Sequence, residues 1–225
     1  MLRALTTAIA AMAVLISGAI SAQANDQQVL IDQSKATMES LAGQSDLEGM
    51  RILLKQAKGV LIVPQLLKAG FIIGGEGGSG VLLARQADGS WSAPAFYTLG
   101  AASLGLQIGA EAKEVVLLIM NTEALNAVIN NQVKLGADAS VAVGPVGKNV
   151  EAATTTNLNA DIYSYARAKG LFGGVSVEGA VIAARDKWNQ AYYGQAVTTG
   201  DIVARGKVDA EGTKALRMTV RNSEL

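Results

Sequence analysis

The chain has 225 residues, half of them hydrophobic, with 19 basic and 19 acidic side chains, no histidine and no cysteine. That neutral balance excludes nucleic acid as a partner, because neutralising phosphates takes a clear basic excess. The missing histidine and cysteine remove Ser-His-Asp, Cys-His and zinc chemistry, disulfides, and anchoring through a lipidated N-terminal cysteine.

Residues 1–24 read as a cleavable secretory signal. Arg3 precedes an uncharged run from Leu5 to Ile20, and Ala22-Gln23-Ala24 gives the small-x-small pattern before a cut between Ala24 and Asn25. A helix of about 16 residues reaches roughly 24 Å, short of a hydrocarbon core of about 30 Å. The expectation is therefore a periplasmic or secreted protein, soluble or peripherally membrane-associated, with residues 25–225 as one domain.

Helical periodicity opens that domain. Val29, Ile31, Met38 and Leu41 punctuate a polar stretch from Asp26 to Ala42, which Gly43 ends. A second helix runs from Asp46 to Ala57, capped by Ser45 or Asp46, with Leu47, Met50, Leu53 and Leu54 on one face. Val60 to Val63 then reads as an apolar strand ended by Pro64. Beyond it, glycines and β-branched residues dominate to about Ile182. Asp88-Gly89 marks a hairpin turn before Trp91, and Ser103 to Gly109 alternates with Leu104, Leu106 and Ile108 facing the core. Val115 to Met120 is a strand, and a helix capped by Asn121 or Thr122 runs to about Asn131. Leu135 to Val143, Thr154 to Arg167 and Gly174 to Ala184 are further strands, before a short helix from Asp186 to Tyr193 ended by Gly194. The class is α+β: N-terminal helices followed by a mainly antiparallel, glycine-rich curved sheet with short helical insertions.

Three patterns bear on chemistry. Gly75-Glu76-Gly77-Gly78-Ser79-Gly80 has the spacing of a dinucleotide fingerprint, but a strand-like Val81-Leu82-Leu83 follows where a phosphate-binding helix is needed. The glycines read better as bulges or close backbone approaches. Glu76, Glu178, Asp138 and Asp161 could form a hydrolytic carboxylate pair only if folding brought two of them together, and no D-x-D-x-D-G run supports calcium. Lys68-Ala69-Gly70-Phe71 and Lys169-Gly170-Leu171-Phe172 echo one another, either as two hairpins of similar composition or as a duplicated strand pair. Cations stand beside apolar side chains in both, as a rim suited to an anionic membrane surface would require.

These segments together carry a resemblance. Lys58-Gly59-Val60 with Pro64, Gly74-Gly75, Trp91-Ser92-Ala93-Pro94, Ser103-x-Gly105-x-Gln107-x-Gly109, Gly136-Ala137-Asp138, Tyr163-Ser164-Tyr165, Gly173-Gly174 and Tyr192-Tyr193-Gly194 resemble the SYLF domain family. The resemblance implies a non-enzymatic domain that binds membrane phospholipid, with actin binding in eukaryotic members and no cofactor or metal. Taken with the leader, it suggests a bacterial secreted member, for which actin is an unlikely partner and an envelope protein a second one. The expected lipid contacts are Phe71, Leu171 and Phe172 for apolar insertion, with Lys68, Arg167 and Lys169 at headgroups. The alternatives are an envelope scaffold and, remotely, a carboxylate hydrolase.

Overall fold

A computed structural model describes residues 26–70, 73–104, 109–130, 132–146, 160–168, 171–173 and 176–225, with the backbone alone beside several of the breaks. Helix α1 spans 26–42, ending where Gly43 N–H donates to the Glu39 carbonyl. A 3-10 turn at Ser45–Leu47 leads into α2, Glu48–Gln56, and neither start carries the side-chain cap expected at Ser45 or Asp46.

Four long strands follow: β1 (Gly59–Gly70), β2 (Ile73–Ala84), β3 (Ala95–Leu104) and β4 (Gly109–Ile119). Pro64 does not end β1. Pairing with β4 shifts register between Val63 and Leu66, so the proline sits in a bulge, where its missing N–H breaks no ladder bond. Gly78 and Gly80 answer that bulge from β2. A Cβ on Gly78 would stand 2.4 Å from the Gln65 carbonyl oxygen, and one on Gly80 2.5 Å from that of Ile62.

Then come α3 (Thr122–Asn130), β5 (Val133–Lys134), β6 (Val141–Val143), β7 (Ile162–Ala168), β8 (Leu171–Gly173) and β9 (Val181–Ala184). Three short helices close the chain: α4 (Asp186–Tyr193), α5 (Thr199–Val203) and α6 (Lys214–Asn222). Of the expected strand at Leu135 to Val143 only β6 forms, preceded by a turn with Gly136 at φ 83°, while β5 ends before Leu135. The one at Gly174 to Ala184 shortens to β9 behind a turn with Gly179 at φ 82°. The alternation from Ser103 to Gly109 spans the end of β3 and the start of β4, with 105–108 outside the described residues.

The strand order is β5-β9-β3-β2-β1-β4-β7-β6, with β8 also on β7; among the described strands β6 and β7 pair in parallel and the others antiparallel. Its two ends, β5 and β6, are joined by residues 135–140, and a Leu135–Ala139 bridge closes that link, so the sheet curls back towards itself. Side chains on the inner face, among them Leu61, Leu82, Leu117 and Ile182, form one core with α3 and α5. The alternate residues Val60, Ile62, Val81, Leu83, Val116 and Leu118 form a second core under α1, α2 and α6. The result is the α+β arrangement of N-terminal helices and a curved, mostly antiparallel sheet with helical insertions.

Candidate functional site

β1 to β4 are longer than the helices laid over them. Their distal halves extend past α1, and there the two faces of the sheet differ sharply. On the inner-core side, register places Ala101, Glu76, Lys68 and Glu111 in one row across the four strands. The Glu76 carboxylate lies 3.6 Å from the Lys68 ammonium and 3.2 Å from that of Lys113, with Glu76 and Lys113 both largely shielded from solvent.

On the α1 side, the register gives a different surface. One row reads Gly100, Gly77, Leu67, Ala112; the next reads Ala102, Gly75, Ala69, Ala110. Only Leu67 rises above a methyl group, and it is 50% exposed. Between this floor and α1 runs a groove of about 580 Å³, lined by Gln33, Thr37, Gln65, Ala112, Glu114 and Arg167 among others. Sequence reading missed this surface. Its signal was the two-residue period of small residues at 75 and 77 and at 100 and 102, which becomes a plane only when four strands are in register.

Of the residues expected to meet a membrane, Lys68 lies on β1 opposite Glu76 of β2. Arg167 lies on β7, where its Nε is 2.5 Å from Glu114 and its guanidinium donates to the Ser40 hydroxyl of α1. Register sets Arg167 opposite Phe172 and Ala168 opposite Leu171 in the β7–β8 pair. Phe71 and Lys169, and the cleavage site at Ala24–Asn25, lie outside the described residues, as do the side chains of Leu171 and Phe172. The two described cations are thus matched by carboxylates on neighbouring strands, which reduces the free positive charge of the rim.

The other carboxylates have structural settings. Asp161 accepts from the Asn121 amide at 2.6 Å and from the Ser140 N–H and hydroxyl at 2.8 and 2.7 Å. The Ser140 bonds, more than that from Asn121, hold its carboxyl below the ordinary carboxylate value. Asp138 accepts from the Lys134 N–H, and the Glu178 side chain packs over Gly136. Among the described residues no cluster of His, Cys, Asp and Glu could hold a metal ion, and no helix is long and apolar enough to cross a membrane.

Comparison with known proteins gives a consistent answer. A family model described as Ysc84, Las17-binding protein actin regulator, matches residues 100–223. Protein YSC84 of Saccharomyces cerevisiae is 38% identical over 74% of this chain and 36% of its own length. LAS seventeen-binding protein 3 of the same yeast is 38% identical over 68% of this chain and 34% of its own length. The human SH3 domain-containing YSC84-like protein 1 is 35% identical over 67% of this chain and 44% of its own length. The chain therefore spans about a third to under a half of these curated relatives. They are fungal and mammalian proteins, and the family is described by actin regulation. That overturns the reading as a bacterial secreted member, and with it the periplasmic or secreted location and the envelope lipid-binding role. The partner expectation changes too: an envelope protein gives way, and actin, expected to be unlikely, becomes plausible.

Proposed function

Because the chain belongs to the Ysc84 family of Las17-binding actin regulators, we propose that it is an interaction module that binds actin. As a member of that family it is not an enzyme. The observation that carries the reading is the family match over 100–223, which takes in the distal part of β3, all of β4 and the strands and helices after them. The projecting end of the sheet is the proposed contact surface, because no described helix covers it. Lys68, Phe71, Arg167, Lys169, Leu171 and Phe172 are the proposed contacts. Lys68 beside Glu76 and Arg167 beside Glu114 present mixed charge, rather than a free basic rim, to the partner. The test is co-sedimentation of the full chain with filamentous actin. Saturable pelleting that weakens as salt is raised supports the proposal. A chain that stays in the supernatant at tens of micromolar actin overturns it.

A further inference from the structure

Arg185 joins β9 to α4, and the groups around it fix its side chain. Its backbone N–H donates to the Phe96 carbonyl at 2.8 Å, which holds the chain where the strand ends. The guanidinium carbon stands 3.3 Å from the centroid of the Trp188 ring. That ring meets Phe96 edge to face, and the Trp188 carbonyl accepts from the buried Gln27 amide at 3.0 Å. Across β3, the guanidinium donates to the Ser79 hydroxyl of β2 at 2.7 Å. This order comes without a counter-charge. Of the five guanidinium N–H groups, one reaches Ser79, and the others have no acceptor among the described residues. Arg85, Arg167, Arg205 and Arg217 each pair with a carboxylate. Arg51 donates to the Ser223 carbonyl, and Arg221 is exposed. Among the described arginines, Arg185 is the one that is partly buried on an aromatic ring with only a neutral hydrogen-bond partner. Burial also holds it below the ordinary arginine value. A charge partly removed from water is costly until an opposite charge meets it.

We infer that Arg185 is the anchor for one carboxylate, an aspartate or glutamate side chain of the protein partner. The inference deepens the actin-binding reading and rests on it. Position makes the guanidinium reachable. It crosses the row Ser79, Thr98, Ala183, which is where the helix cover gives out. In the row before, Val81 and Phe96 are buried in the second core, whereas Thr98 and, one row on, Gly77 are exposed. Shape selects the ligand: the planar fork presents parallel N–H groups that match the two oxygens of a carboxylate. Number selects a protein side chain over a charged membrane. A lipid surface is held by clusters of cations, and the exposed chain neighbours here, Asp186 and Lys187, cancel one another. Trp188 keeps water from one face of the guanidinium, so an ion pair formed there is screened less than a fully exposed one. Arginine and tryptophan side by side are also the residues that dominate the energy of protein interfaces.

The test uses the full chain and filamentous actin, with Arg185→Met and Arg185→Lys compared with the unaltered protein. Arg185→Met keeps an apolar stem against Trp188 and removes the charge. It should leave the melting temperature unchanged or raised and weaken actin binding at least about tenfold. Arg185→Lys keeps the charge without the fork and should weaken binding by roughly two- to fivefold. Its new amine also serves as a probe, because a zero-length carbodiimide couples an amine only to a carboxylate in contact with it. A product linking position 185 to an aspartate or glutamate of actin supports the assignment; coupling at other lysines with none at position 185 overturns it. Unaltered protein that binds while Arg185→Met binds equally well overturns the anchor and leaves the actin reading standing. Unaltered protein that fails to bind overturns the actin reading and this inference with it. A lowered melting temperature for Arg185→Met overturns the premise that the guanidinium has no partner within the fold. Vesicles containing phosphatidylserine form the control arm: pelleting that depends on Arg185 with vesicles but not with actin overturns a protein carboxylate as the ligand.

Discussion

Gly80 and Gly77 sit three residues apart in one strand and should respond in opposite ways to the same substitution. Gly80→Ala pushes a methyl to 2.5 Å from the Ile62 carbonyl oxygen, with the Val63 side chain at 2.8 Å. Backbone on one side leaves little room to relax, so a loss of about 1–3 kcal/mol is expected. Gly77→Ala meets open space and restricts the unfolded chain, for a gain of about 0.5–1 kcal/mol. Urea unfolding of the two variants checks both signs. Sequence alone read all these glycines as bulges or close approaches. That suits 78 and 80, whose partners lie across the β1 bulge, and fails for 75 and 77, because steric need is a property of the neighbouring strand. Gly144 is a third case of close approach, with its Cβ position 2.1 Å from the ring of buried Tyr165.

At the scale of elements, the end of α6 is tied into the sheet by one carboxylate. Glu224 accepts from the Trp91 indole N–H at 2.8 Å and pairs with the Arg85 guanidinium at 3.2 Å. Arg85 in turn donates to the Leu54 and Ala57 carbonyls at the end of α2 and lies 4.4 Å above the Trp91 ring. Glu224→Gln keeps one acceptor but removes the charge facing a partly buried guanidinium, which should cost about 1–2 kcal/mol. Amide hydrogen exchange should show protection falling first in α6 and at the end of α2; unchanged exchange there would show that the clasp contributes nothing. Sequence periodicity located α1, α2, α3 and α4 because each shows a buried stripe of several residues or a clear glycine stop, such as Gly194 at φ 66°. It passed over α5 and α6, which are short; α6 buries only Leu216 and Val220 among Lys214, Arg217 and Arg221. The candidate site was legible as a region, at the glycine-rich strand ends, but its two faces were not, since they depend on which residues stand side by side across β1 to β4.

For the whole molecule, the absence of histidine and cysteine sets the response to pH. Asp161 and Asp201 are held below the ordinary carboxylate value by hydrogen bonds, from Ser140 for the first and from Lys207 and Thr198 for the second. Their stabilisation is complete above the unfolded value of 3.8 and is lost as pH falls through the lower folded values. Burial raises the phenols of Tyr97, Tyr165 and Tyr193 above 10.0. These groups favour the folded state while neutral, so stability should decline again as pH rises beyond about 10. Thermal melts from pH 2.5 to 11 should therefore trace a plateau with two falling edges. A step near pH 6 to 7 would contradict the assignment, since the chain has no histidine.

The short link between β5 and β6 shapes how the molecule assembles. Hairpins β1–β2 and β2–β3 join neighbours in sequence, whereas β9 meets β3 at pairs such as Tyr97 and Ala184, and β7 meets β4 across the whole α3–β6 stretch. With its first and last strands tethered through residues 135–140, neither margin of the sheet can peel away without dragging the other. Unfolding is then a single event rather than progressive fraying, and refolding waits on distant partners finding one another.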